Sequence, residues 1–431
     1  MGLVPVPPVT DDVLILPAGK KVIFDLGPNL SDRGTVRVRV RASRHREDGP
    51  GVPTLRLNFG FQASNNSKAT DVIGPRDVVI DTAPGAPRFY EWDVPLSEVI
   101  RNPMRKVSQL GQTPNPTEYI HFENTSASQA DIRIDHLQVI GDYTAQWPPA
   151  SHRRVFVARD DASNEVADAR QILVEFMARA WRRPITDAEI DRKLGLFAAL
   201  RPDCDDFQEA VVEVLATVLA SPNFLYVTSR MPAGAADTDL SDHELATRLA
   251  LFLWCSTPDD ELLNLADGGR LSDPQTLAAQ ARRLLDDPRS QRFVQRFVYQ
   301  WLGMQLLDHL SVDRKAYPRF SPAFKEAMQR EPVALFDHVL RNNASVMDFL
   351  HADYAVVNER LAQHYGIPDV YGADFRRVDL ADDATRGGLL TQAGFLAMNS
   401  DGKDSHPLKR GIWLLDSLLN DPPPPPPAAG P

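Results

Sequence analysis

Between Val13 and about Tyr143, apolar and polar residues alternate with a period close to two, in the runs VLIL, KVIFDL, TVRVRVRAS, TLRLNFGF, DVVIDT, RFYEWDV, YIHFEN and DIRIDHLQVIG. Clusters such as GPNLSDRG, HREDGPG and APGAP separate them with residues that suit turns. In TVRVRVR, Val36, Val38 and Val40 fall on one face, and Arg37, Arg39 and Arg41 on the other. One face is therefore core and the other wet, which predicts an antiparallel β-sandwich over residues 1–145. A domain of this size buries roughly two-thirds of its unfolded surface, enough to stand without disulfides.

The alternation stops after Tyr143. QWPPASHRR carries prolines that block regular pairing, so residues 146–163 read as a linker. Beyond it the period becomes helical. VADARQILVEFMARAW places Ile172, Leu173, Phe176, Met177 and Ala180 on one stripe; Pro184 stops it, and Thr186 opens the next helix with Glu189 as capping-box partner. DDFQEAVVEVLATVLASPNFLY predicts a helix from about Asp206 to Ala220, ended by Ser-Pro. Ser241 with Glu244, and Asp273 before Pro274, open further helices. The chain is thus a sandwich followed by an all-α part of about ten helices.

Composition narrows the partners. There are 47 basic and 58 acidic residues, a formal net charge of -11, and no basic run interleaved with aromatics, which argues against nucleic acid. Cys204 and Cys255 cannot build a disulfide framework or a cysteine zinc site, and neither lies in C-x-x-C-H, so no haem is expected on this chain; Cys255, in LFLWCS, reads as a buried structural thiol. MGLVPVPPVTDD has neither the cationic start nor the apolar run of a signal peptide, and no window has the roughly 20 apolar residues of a membrane span.

Candidate chemistry concentrates near the end. NSDGKDSHPLKRG brings Lys403, Ser405, His406, Lys409 and Arg410 into one short stretch, with Arg386 upstream. Cations beside a helix start suit an anion such as a carboxylated or sulfated sugar. The alternative is that Lys409 and Arg410 pair with carboxylates of neighbouring helices while Ser405 only caps. HADYAVVNERLAQHYGI reads as a structural cap at Asn358 and Glu359, with His364 too far round for an N-x-x-x-H metal pair; no metal site is expected. Phe293, Phe297 and Trp301, spaced by four, read as a core stripe.

Two resemblances add to this. ARAWRRPITDAEI with VLASPNFLY, LSDHELATRLALFLWCSTPDDELLNLADGG with SVMDFLHADYAVVNERLAQHYGI, and RGGLLTQAGFLAMNS to the polyproline resemble, in order, three helical domains of unknown function from secreted planctomycete and myxobacterial proteins. The resemblance implies helical domains at 164–230 and 238–370, a helical segment at 384–421 and a Pro-rich linker at 422–431, together with a periplasmic or extracellular location, a cytochrome c domain or protein as partner, and c-type haem on an upstream domain absent here. Where such proteins tend to read Thr-Ser-Pro-Val before Lys-Arg-Gly, this chain has Asp404, Ser405, His406, Pro407 and Leu408. DIRIDHLQVIGDY resembles the closing strand of jelly-roll carbohydrate-binding modules. That implies a glycan partner, with Tyr90, Trp92 and Tyr119 as the aromatic platform. Three functions follow: the ligand-binding and scaffold part of an exported cytochrome-linked protein that oxidises complex carbohydrate, a non-catalytic glycan-binding and docking module, or a hydrolase or lyase working at the Ser405 to Arg410 loop.

Overall fold

The computed structural model describes residues 7–10, 12–27, 30–47, 51–62, 68–103, 117–156, 164–227, 240–313, 315–381 and 385–424. Part of the expected linker and most of the Pro-rich tail lie outside them. The chain forms two compact units, one of residues 1–145 with 302–431, the other of residues 146–301.

The first unit begins with eight strands: β1 (Leu14–Leu16), β2 (Lys21–Gly27), β3 (Thr35–Arg44), β4 (Thr54–Gln62), β5 (Lys68–Val79), β6 (Arg88–Pro95), β7 (Thr117–Asn124) and β8 (Ile132–Ile140). They form two four-stranded sheets, ordered β1-β8-β3-β6 and β2-β7-β4-β5, in which every pairing is antiparallel. The sandwich core is filled from both sheets by Val36, Val38, Val40, Leu55, Leu57, Phe59, Ile120 and Phe122. On the opposite face of β3, Arg37 and Arg39 bond Asp93 and Glu91, their partners across the β3/β6 ladder, and Arg41 bonds Asp135 of β8. The alternation in TVRVRVR thus fixes both a buried valine row and a ladder of ion pairs.

The second unit is helical: α1 (Ala150–Val155), α2 (Glu165–Trp181), α3 (Asp187–Leu200), α4 (Phe207–Leu219), α5 (Pro222–Leu225), α6 (Asp242–Trp254), α7 (Asp260–Asp267), α8 (Pro274–Asp286) and α9 (Gln291–Trp301). Capping boxes form at Thr186 with Glu189 and at Ser241 with Glu244, while Asp206 and Asp273 cap α4 and α8. The face of α9 that is buried carries Val294 and Val298; Phe293, Phe297 and Trp301 stack beside it, and Phe297 is 39% exposed. Cys255 is a half-buried left-handed cap of α6, not a core thiol.

The chain then returns to the first unit through α10 (Gln305–Asp308), α11 (Pro322–Arg341), β9 (Tyr354–Val357), α12 (Glu359–Tyr365), β10 (Arg376–Asp379), α13 (Ala393–Met398) and α14 (Pro407–Trp413). The sandwich meets these helices through charge: Arg56 bonds Asp77 of β5 at 2.6 Å and Glu326 of α11 at 2.5 Å, and Arg360 of α12 donates to the Thr125 carbonyl. Pro332 lies inside α11, so it cannot donate to the Met328 carbonyl. At Gly394 of α13 an added Cβ would sit 2.6 Å from that oxygen, so glycine lets α13 pack on the α11 backbone.

Candidate functional site

Between α11, α12, α13 and the loop after α13 lies a cavity of about 560 Å³. That is within the range of small-molecule pockets. Its apolar lining comes from Leu310 and Val312, from Phe320, Phe324 and Met328 on and before α11, and from Ala393, Leu396 and Ala397 on α13. The His364 ring of α12 stands against Phe324, with centroids 4.8 Å apart. Partial desolvation and the positive charge of Arg386 hold that imidazole below its usual pKa, which favours the neutral ring.

The polar lining comes from Arg319, Lys403, Asp404, Ser405 and Arg410. The loop that carries three of these is braced from both ends. Ser400 and Ser405 pair as an antiparallel bridge, and the Asp401 carboxylate accepts the backbone N–H groups of Lys403 and Asp404 at 2.9 and 2.6 Å. Those bonds from Asp404 and Lys403, with a smaller contribution from His406, pull the Asp401 carboxyl down to about 2. Tyr317 donates its hydroxyl to the Lys403 carbonyl at 2.8 Å, and Asp313 N–H donates to the Gly402 carbonyl at 3.1 Å. Gly402 has φ +89°, and a Cβ there would lie 2.0 Å from the Ser311 carbonyl oxygen, so only glycine lets the loop lie this close to residues 311–313. Trp413 anchors the following helix by donating Nε1–H to the Leu302 carbonyl at 2.9 Å and packing edge-on to Phe395.

Lys403, Ser405 and Arg410 are thus brought to one cavity. Lys403 and Arg410, like Arg319, have no carboxylate within ion-pair distance among the described residues, and the same holds for Lys409, which is exposed and outside the cavity lining. The pairing alternative for Lys409 and Arg410 is not what the structure shows. Neither does a helix terminus hold the site together, because α14 has seven residues and its N-cap, His406, makes no side-chain capping bond. His406 turns its Nε2 to Asp401 at 3.3 Å. Ser405 Oγ has no hydrogen bond from it, so the loop contains no base-activated serine. Arg386 lies elsewhere, its guanidinium 3.6 Å above the Tyr365 ring and its Nη1 donating to the Thr391 carbonyl at 2.6 Å.

Behind the cavity wall, Glu331 of α11 is 3% exposed, and Tyr365 donates its hydroxyl to it at 2.7 Å while accepting Ala393 N–H at 2.8 Å. Burial pushes the Glu331 carboxyl up to about 8 against the opposing effect of that hydroxyl and of Arg386.

The three aromatics expected as a sugar platform are interior. Tyr90 and Trp92 are 6% and 7% exposed; Tyr90 bonds Asp81 and Trp92 packs on Phe122 in the core. Tyr119, on the other face of β7, is 7% exposed, bonded to Thr70 and stacked on His121. No ring face of the three is presented to a ligand, because the alternation that makes RFYEWDV a strand turns Tyr90 and Trp92 inward together. Sequence reasoning passed over Tyr317, Phe320, Phe324 and Leu396 and weighed His364 only as a metal ligand; the i, i+4 spacing of Phe320 and Phe324 was the one local signal. Among the described residues no cluster of His, Cys, Asp and Glu could hold a metal ion, and no helix is long and apolar enough to cross a membrane.

Three family models match the chain in succession: PSD5, "Protein of unknown function (DUF1595)", at residues 168–228; PSD4, "Protein of unknown function (DUF1592)", at 240–367; and PSCyt3, "Protein of unknown function (DUF1588)", at 386–431. The chain belongs to the planctomycete-specific, cytochrome-associated domain families. The cavity loop, Ser400 to Arg410, falls in the last of them. No curated protein matches the chain. Solved structures similar to it include a family 16 carbohydrate-binding module, at 12% identity over 29% of this chain and 74% of that one with a TM-score of 0.17. The CBM22-2 xylan-binding domain of Xyn10C from Paenibacillus barcinonensis is similar at 10% identity over 31% of this chain and 90% of that one, with a TM-score of 0.21. At these TM-scores the likeness carries no argument, and the sandwich rests on its own strand order and burial.

Proposed function

We propose that this chain is the ligand-binding and scaffold portion of a cytochrome-associated protein, and that its ligand is an organic anion seated in the cavity at the Lys403 to Arg410 loop. The observation that carries this reading is the unpaired charge: three cations, Arg319, Lys403 and Arg410, against one carboxylate, Asp404, line one cavity of a chain whose net charge is -11. A braced loop fixes the backbone at Lys403, and α14 that at Arg410, before any ligand arrives, which lowers the ordering cost of binding. Oxidative processing of complex carbohydrate, with the redox centre on a cytochrome partner and export to the periplasm or beyond, is the wider role that the family context suggests. The hydrolase alternative loses support, since Ser405 lacks an activating base.

Calorimetric titration of the chain with benzoate and with its neutral amide, benzamide, tests the anion reading. Benzoate should bind at one site and more tightly than benzamide, and Lys403→Ala with Arg410→Ala should abolish the heat, since charge-assisted hydrogen bonds contribute about 1.5 to 3 kcal/mol each. Equal binding of benzoate and benzamide, or unchanged binding by the double variant, would overturn it.

A further inference from the structure

We infer that the ligand of this cavity is an amphipathic organic acid, a carboxylate carried on an aromatic or aliphatic body, and not a free sugar acid. The inference rests on the anion-binding reading above and names the ligand class for the same site. Its basis is the division of the lining. Charged groups come from Arg319, Arg410 and the loop, whereas the rest of the wall is Phe320, Phe324, Met328, Leu396 and smaller apolar side chains.

A sugar carries a hydroxyl on almost every carbon, and each hydroxyl taken from water needs a replacement partner. The wall has few to give. The Tyr317 hydroxyl is committed to the Lys403 carbonyl, and the Ser400 hydroxyl donates to the Ala397 carbonyl at 2.7 Å. Ser405 and the neutral His364 ring remain, with Asp404 as an acceptor only, too few for a polyhydroxylated ring, whereas Arg319, Lys403 and Arg410 suffice for one carboxylate end. An apolar body has the reverse balance. It leaves no unpaired groups, displaces water from Phe320, Phe324, Met328 and Leu396, and can lay a ring edge-on or offset against Phe324 and His364. Leu396 is 38% exposed at the cavity, so its side chain is open to contact with an apolar body seated there. Charge then orients the body: the acid end lies toward Lys403 and Arg410.

The test titrates the full chain with biphenyl-4-carboxylate, its neutral amide biphenyl-4-carboxamide, and galacturonate. The carboxylate should bind at least about tenfold more tightly than either of the others, one comparison reporting the charge and the other the apolar body. Leu396→Asp places a carboxylate on the cavity wall at a solvent-exposed position, where folding is little affected, and should lose biphenyl-4-carboxylate binding while its melting temperature stays near that of the parent. Galacturonate binding as tightly as biphenyl-4-carboxylate, with both lost in Arg410→Ala, overturns this ligand class and leaves the anion reading standing. Biphenyl-4-carboxamide binding as well as the acid overturns the charge anchor. If no anion binds, both readings fall.

Discussion

Among the described residues several arginines are held by a carboxylate: Arg37 by Asp93, Arg183 by Glu189, Arg201 by Glu165, Arg283 by Asp259. Arg319 and Arg410 have no such partner among the described residues, and what sets them apart from other arginines is that both line the cavity. The second residue out of the ordinary is Glu331, whose carboxyl is raised from 4.5 to about 8 by burial. The folded state therefore binds a proton that the unfolded chain releases above about pH 4.5, and stability should fall as pH rises from there toward 8. The size of this effect is on the order of a few kcal/mol. Glu331→Gln keeps an oxygen to accept the Tyr365 hydroxyl and removes the titration. Urea unfolding at pH 5 and pH 8 should show the parent losing stability across that interval and the variant losing distinctly less. Equal losses would mean that Glu331 is solvated in the folded protein.

At the level of elements, the strands and helices were largely legible because their signals are local. Period-two alternation located β3, β6 and β8, and hydroxyl-to-glutamate spacing located the starts of α3 and α6. Thr186→Ala should cost the protein about 1 kcal/mol, since it removes the capping side chain and loosens the hold on Glu189. Glu189 is drawn down to about 2, chiefly by Arg183, so its contribution is complete above about pH 4.5 and is lost as pH falls toward 2. The Thr186→Ala penalty, read from urea midpoints, should accordingly be larger at pH 7 than at pH 3. A pH-independent penalty would contradict the coupling of cap and carboxylate. Of the cavity, only the loop could be read in advance, as Lys403, Ser405 and Arg410 occupy one polar stretch. Its wall could not, because Phe320, His364 and Leu396 lie tens of residues apart and meet only when α12 and α13 pack on α11. The same limit explains Tyr90, Trp92 and Tyr119: an aromatic residue in a strand has one local pattern, whichever way its face ends up covered.

At the scale of the molecule, an acidic chain of net charge -11 is built from two compact units, and in the first of them a sandwich shares its framework with the returning helices that form the cavity. Charged groups in such a framework either hold the fold or await a partner, and the two roles separate in energy. Removing one member of a buried ion pair costs about 3 to 5 kcal/mol, whereas removing a solvated, unpaired cation changes stability by less than about 0.5 kcal/mol. The decisive measurement is the ligand-free unfolding free energy of Arg319→Ala, Lys403→Ala and Arg410→Ala combined in one chain. The account predicts a value within about 0.5 kcal/mol of the parent or above it. A loss of about 3 kcal/mol or more would make these side chains part of the fold's own charge balance and contradict their role as a ligand seat.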